Sequence, residues 1–297
     1  MKLKELLPGV QKNILLKNYT TFKIGGPTKY FFVAKTKKDL IKAISVAKKL
    51  KLPFFILGGG SNLLISDKGV NGLMIKNEAR SFKIKKMKII ADSGVILDKI
   101  INAAIKAGLS GLEKGSGIPG TLGGAIFGNA GWPRGNWAIG DLVEEAELLM
   151  PDGKIKKVKR KWFSFGYRNS CLKKMKGKKP IILEVVLKLK KGKRINLKKK
   201  RLEILKTRIQ KIPSGFSAGS IFKNPLQKPA GFLIDECGLK GKRIGNVKIS
   251  EKHANFIINL GKGKAKDVKK LINLAKKRVK NKFNTNLEEE IQFLGEI

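Results

Sequence analysis

Seventeen residues in the middle of the chain, GSGIPGTLGGAIFGNAG (115–131), hold seven glycines and one proline. Glycine gives up the most backbone freedom on ordering, so this density marks a backbone lying against something flat or tightly packed. That partner is either another stretch of backbone or a ring system with a pyrophosphate tail. A second run, LGGGSNLL (57–64), overlaps the end of the apolar stretch FFIL (54–57). Consecutive glycines at a strand end let N–H groups approach a phosphate. The run is no Rossmann fingerprint, because its spacing is not GxGxxG and a strand is expected after it. It is no P-loop either, since no GK[ST] closes it. A large dinucleotide would use both segments.

Around these runs the first third reads β-α-β: strand KYFFVA (29–34), Thr36 as an N-cap, a helix carrying Leu40, Ile41, Ile44 and Ala47, then Pro53 and strand FFIL. Residues 80–208 are strand-rich, with a hairpin turning at Asp152-Gly153 and a short helix at 95–107 presenting Ile96, Ile100, Ala103 and Ala104. A basic helix over 195–211 reads as a link between domains. The last third gives a helix ending at Gly238, strand HANFIINL, a long helix from Lys264 and strand LEEEIQFLG (287–295).

The chain has 297 residues, room for two domains or three small ones. No apolar run reaches the length of a membrane span, and MKLKELLPGVQK lacks the apolar core of a signal peptide, so a cytoplasmic location is expected. Cys171 and Cys237 stand apart and His253 is the sole histidine, which excludes a Cys/His structural zinc site; no metal is expected. A net charge of +43 raises nucleic acid or polyanionic substrates as partners. The excess is mostly lysine spread through every segment, and aromatics make up only 7%, not interleaved with the basic runs. A solvated lysine-rich surface is the simpler reading.

Three further stretches carry chemistry. In FSFGYRNS, Arg168 lies in an apolar setting where a guanidinium seeks a carboxylate or phosphate; on a basic chain it otherwise reads as surface. In LEEEIQFLG, Glu288 and Glu290 share one face of a strand while Leu287, Glu289, Ile291 and Phe293 share the other. This is either a charged edge or a carboxyl aimed into a cleft, where burial raises its pKa towards proton donation. SAGSIFKNP (217–225) reads as a turn, with Gly219 at the bend and Pro225 as a stop, that also holds out a hydroxyl.

In this order, NYTTFKIGGPTKYFF (18–32), LGGGSNLL, GIPGTLGGAIFGNAG, YRNS, SAGSIFKNP, AGFLIDECGLKGKRIGNVKISEKHANFIIN and LEEEIQFLG resemble the UDP-N-acetylenolpyruvoylglucosamine reductase family, in its shorter form without the extra substrate-covering loop. The resemblance implies an α+β chain: a two-subdomain, non-Rossmann FAD-binding fold like that of vanillyl-alcohol oxidase (residues 1–78 and 79–208), then an α+β substrate-binding domain (209–297) whose last strand carries Glu290 back to the active site. It implies non-covalent FAD held by Gly58, Gly59, Gly60, Ser61, Asn62 and Leu63, and by Gly117, Ile118, Pro119, Gly120, Thr121, Gly123, Gly124, Ala125, Asn129 and Gly131. NADPH is the implied co-substrate, and Ser220, Arg168 and Glu290 are the implied catalytic residues. Asn224, Lys223, His253 and Tyr167 are the implied contacts to UDP-N-acetylglucosamine enolpyruvate. Hydride passes from flavin N5 to C3, Arg168 and Glu290 stabilise the charge that develops, and Ser220 gives a proton to C2. A monomer with neither nucleic acid nor membrane as partner is expected.

Three positions depart from the family pattern: Trp132 with the loop at Arg134, Gln292 where arginine is common, and Gly128 where a bulkier residue is usual. Two other readings stand beside the reductase. One is a different FAD oxidoreductase on the same fold; the other is a basic nucleic-acid-binding module, which leaves the glycine runs without a role.

Overall fold

The computed structural model describes residues 3–132 and 137–297. The chain divides into two compact units. The first comprises residues 1–10, 32–59 and 74–208, and the second residues 11–31, 60–73 and 209–297.

The first unit is built on a five-stranded antiparallel sheet in the order Ile155–Lys159, Val143–Leu149, Ile181–Lys188, Lys88–Asp92, Phe82–Lys85. The hairpin joining its first two strands turns where expected: Gly153 has φ +91° and the Asp152 carboxylate accepts from the Lys154 N–H at 2.9 Å. Helix Leu97–Lys106 buries Leu97, Ile100, Ile101, Ala104 and Ile105. The face is thus rotated from the expected one. Ile96 lies outside the helix as an extended N-cap (φ −62°, ψ 126°), and Ala103 falls off the buried stripe. Together with Ile89, Ala91, Val185 and Leu187 these residues form one core. Helix Lys37–Lys49 begins at Thr36, whose side chain accepts from the Asp39 N–H while Asp39 accepts in return, a reciprocal cap.

The second unit packs helix Ala265–Phe283 over a three-stranded antiparallel sheet, Arg243–Ile244, Val247–Ile249 and Ile257–Asn259. The helix starts where Asp67 accepts from the N–H groups of Ala265 (2.8 Å) and Lys266 (3.2 Å). Strand Leu63–Ile65 directly follows the first glycine run, as expected, and pairs in parallel with Gln292–Leu294. The strand expected over 287–295 is therefore shorter. Its earlier residues bond elsewhere: the Lys223 N–H donates to Glu288 O (2.9 Å) and the Glu290 N–H to Ile221 O (2.8 Å). The chain changes partners at Ile291, because the next donor, Gln292 N–H, goes to Asn62 O at 3.0 Å. In burial the expected alternation is only partial, because Glu290 is half-buried like Glu289, and Phe293 like Gln292. Leu287 and Ile291 are buried, and Glu289, half-buried between them, is neutralised by Lys276 at 3.1 Å.

Candidate active site

In the first unit the two glycine-rich runs meet. A Cβ on Gly58 would fall 2.5 Å from Thr121 Oγ1, and one on Gly59 would fall 2.5 Å from Gly120 Cα. At Gly59 backbone therefore lies on backbone, and at Gly58 it lies on the Thr121 side chain, with no room for a Cβ at either. Gly124 and Gly128 differ, since a Cβ at either meets nothing nearer than 3.6 Å. Packing does not demand glycine there, since a Cβ would make only ordinary contacts. Thr121 is buried and caps the short helix Leu122–Phe127 by accepting from Gly124 N–H. Gly117 and Gly120 take φ of +77° and +115°, Pro119 is exposed beyond Ile118, and Ala125 is buried in the core. Gly123 packs on Ser93, and Gly131 lies against the Trp137 carbonyl. The Lys76 ammonium donates to the Gly58 carbonyl, and burial pushes its pKa down. A ledge of bare backbone with a hydroxyl and an ammonium at its edge suits a flat, pyrophosphate-bearing cofactor, so the residues present fit FAD.

Tyr167 and Arg168 form the tip of a tight turn closed by mutual hydrogen bonds between Gly166 and Asn169 at 3.0 and 3.1 Å. Arg168 takes φ +52°, a left-handed conformation unusual for a residue with a side chain. Three contacts stitch this turn to the second glycine run. Arg168 Nη1 donates to Gly131 O (2.6 Å), Ser170 Oγ to Phe127 O (2.7 Å), and Asn129 Nδ2 to Gly166 O (2.8 Å). Asn129 also accepts from Gly140 N–H at 3.0 Å, so its buried amide brackets two loops. Tyr167 is exposed, its ring 5.9 Å from the Arg168 guanidinium carbon.

In the second unit, residues 220–223 run between two other segments. On one side Ser220 bridges Phe256, and Asn255 Oδ1 and Nδ2 bond both main-chain groups of Phe222 at 2.9 and 2.8 Å. On the other lies Glu290, held by Ile221 O as described, whose own carbonyl accepts from Asn62 Nδ2 at 3.1 Å. Ser220, Glu290 and the Gly60–Leu63 half of the first glycine run are thus brought together within this unit. Gly60 has φ +65° and sits against Tyr19 O, and Ser61 is half-buried. Ser217 plays the turn role expected of it, its Oγ accepting from Gly219 N–H (3.4 Å) where Gly219 has φ +78°. Lys223 pairs with Glu288, and Asn224 Oδ1 accepts from the Ala230 N–H that opens helix Ala230–Glu236. His253 Nδ1 accepts from Asn255 N–H at 3.2 Å, and its ring packs edge-on to Phe256.

Sequence reasoning missed Asn255 and Lys76. For Asn255 the signal was present, an amide inside the apolar run HANFII. Lys76 is one among 65 basic residues and carried no local mark. Of the departing positions, Gln292 uses its backbone to bond Asn62, Trp132 pairs with Trp137, and Arg134 lies outside the described residues. Among the described residues no helix is long and apolar enough to cross a membrane, and no cluster of His, Cys, Asp and Glu could hold a metal.

The model of the UDP-N-acetylenolpyruvoylglucosamine reductase C-terminal domain matches residues 210–294, and that of an FAD binding domain matches 28–159. A UDP-N-acetylenolpyruvoylglucosamine reductase of Caldicellulosiruptor bescii is 46% identical over 285 residues, 95% of this chain and 89% of that one. The crystal structure of UDP-N-acetylenolpyruvylglucosamine reductase from Thermus caldophilus superposes with a TM-score of 0.82 at 35% identity, covering 96% of this chain and 99% of that one. A glucose dehydrogenase at 14% identity and TM-score 0.50, over 65% of this chain and 44% of its own, shares the fold alone. With its FAD-binding domain followed by the reductase C-terminal domain, the chain belongs to the UDP-N-acetylenolpyruvoylglucosamine reductase family.

Proposed function

We propose that the chain reduces UDP-N-acetylglucosamine enolpyruvate to UDP-N-acetylmuramate, with Arg168, Glu290 and Ser220 as its catalytic residues. When bound, FAD would supply the redox chemistry, the passage of hydride from NADPH to C3 of the enolpyruvyl group. The glycine ledge at Gly58, Gly59 and Gly117–Gly131 would hold it. The protein's own part is position and field. Hydride at C3 leaves negative charge over C2 and the adjoining carboxylate, which the Arg168 guanidinium and the Glu290 carboxyl stabilise as it develops. Ser220 Oγ–H then gives its proton to C2, which completes the reduction of the double bond, and the serine regains a proton from solvent. A serine hydroxyl is a very weak acid, so it serves only against a strongly basic carbon and in close alignment. Lys223, Asn224, His253 and Tyr167 contact the substrate, and residues 209–297 are its binding domain. The reading places the reaction in the cytoplasm of a cell building peptidoglycan, and so in cell shape and division, with the enzyme a monomer that has neither nucleic acid nor membrane as partner.

One observation supports this assignment: the hydrogen bonds from Glu290 N–H to Ile221 O and from Asn62 Nδ2 to Glu290 O hold the Ser220 segment, the Glu290 backbone and residues 60–63 in fixed register. Purified protein is expected to be yellow and to oxidise NADPH when the enolpyruvyl substrate is added. In Ser220→Ala, reduction of the flavin by NADPH survives while substrate turnover falls by about 10²–10⁴-fold. Normal turnover in that variant would remove Ser220 from the mechanism.

A further inference from the structure

The stretch NYTTFKIGGP (18–27) opens the family pattern, yet the reaction gives it no task. In the second unit its residues 21–23 lie along the start of SAGSIFKNP. Asn259, buried, makes one side of that join. Its Nδ2 donates to Phe22 O (2.9 Å) and Lys23 O (3.3 Å), and its backbone N–H donates to Phe216 O (2.9 Å). Thr21 makes the other side. Its Oγ1 donates to Ser217 O at 2.7 Å, across 196 positions of sequence, and its N–H donates to Gly60 O at 3.1 Å. Phe22 and Ile24 are buried in the core, so the backbone that carries Thr21 is fixed.

Ser220 lies three residues beyond that tie. On its far side the chain is well held, by the bridge to Phe256 and by the bonds of Asn255 to Ile221 and Phe222. On its near side Ala218 is buried, but Gly219 takes φ +78° and a Cβ there would meet nothing within 4 Å. Packing does not fix the chain at Gly219. The turn into Ser220 is shaped instead by two hydrogen bonds, from Gly219 N–H to Ser217 Oγ and from Thr21 Oγ1 to Ser217 O. A shift in this turn moves the Ser220 hydroxyl, and misplacement by about 1 Å can cost a reaction about 10²-fold.

On the reading of Ser220 as proton donor, we propose that Thr21 is a positioning residue for that proton transfer. It acts through the Ser217 turn, which its hydroxyl ties to the same short backbone that holds Gly60.

NADPH-reduced holoenzyme is mixed with excess enolpyruvyl substrate, and the product formed in a single turnover is followed. Thr21→Val keeps the shape of the side chain and removes the donor; it is expected to slow product formation about 10–100-fold. Thr21→Ser keeps the hydroxyl and is expected to recover most of the wild-type rate. FAD per chain and the rate of flavin reduction by NADPH stay at wild-type values in both. Placed in Ser220→Ala, Thr21→Val is expected to slow the reaction no further, since a residue that acts through Ser220 then has nothing to align. A wild-type rate in Thr21→Val overturns the proposal. So does a loss that Thr21→Ser shares, a loss of FAD, or full additivity with Ser220→Ala, each of which assigns Thr21 to the fold at large. If reduced wild-type enzyme forms no product, the reductase reading fails and the proposal with it. If Ser220→Ala alone matches wild type, the proton donor is misassigned, and the role of Thr21 falls while the reductase reading stands.

Discussion

Asn255 is 3% exposed and spends its amide on the main chain of Phe222, two residues from the proposed proton donor. Removing it leaves a buried N–H and a buried carbonyl without those partners. Asn255→Ala is therefore expected to cost about 2 kcal/mol in denaturant unfolding, and to lower turnover while flavin content is retained. Arg168 makes a comparable point in the first unit. Its left-handed backbone costs on the order of 1–3 kcal/mol, and the turn hydrogen bonds together with its own bond to Gly131 hold it there. Local strain of this kind is kept where a side chain must point in one direction.

At the scale of elements, Glu113 anchors the basic helix. Burial works to raise its pKa, but the Gly111 N–H (2.6 Å) and Lys200 outweigh that and hold the carboxyl below the usual carboxylate range. A depressed acid contributes stability that is present above its unfolded pKa and lost as pH falls through the folded one. Glu113→Gln should thus be about 2 kcal/mol less stable at neutral pH, with the difference closing below about pH 4.3, as read from unfolding curves across that range. Much at this scale was legible in the sequence. The Asp152-Gly153 hairpin, the Thr36 cap and the strand after LGGGSN all follow from local rules of turns, caps and periodicity. What was not legible depended on distant partners. Helix Leu97–Lys106 turned its face once Ile96 became its cap, and the 287–295 strand was cut short because its donors divide between Ile221 and Asn62. Ser220 and Glu290 stood out through motifs, whereas the clamp on the basic helix joins Arg201 to residues 85 to 103 positions away and left no local mark.

For the whole molecule, charge is the dominant property. A net +43 attracts both NADPH and a UDP-sugar carrying a carboxylate. Raising ionic strength from about 0.01 to 0.15 M shortens the screening length from about 30 to 8 Å. Steady-state kinetics across that range should show kcat/KM falling for both substrates with little change in kcat. The two cores differ in another way. That of the first unit draws on residues 89–197, whereas that of the second joins Phe22, Ile24 and Leu64 to residues from Ala218 to Ile291. Asn62 and Glu290 are 228 positions apart. At about 5–20 residues per second of synthesis, Leu63–Ile65 waits on the order of ten seconds or more for the strand that completes its pairing. On the ribosome, the first unit's sheet can close while residues 60–63 are still unsupported, and Asn62 finds its partners at Glu290 and Gln292 only after residues 287–294 have left the exit tunnel.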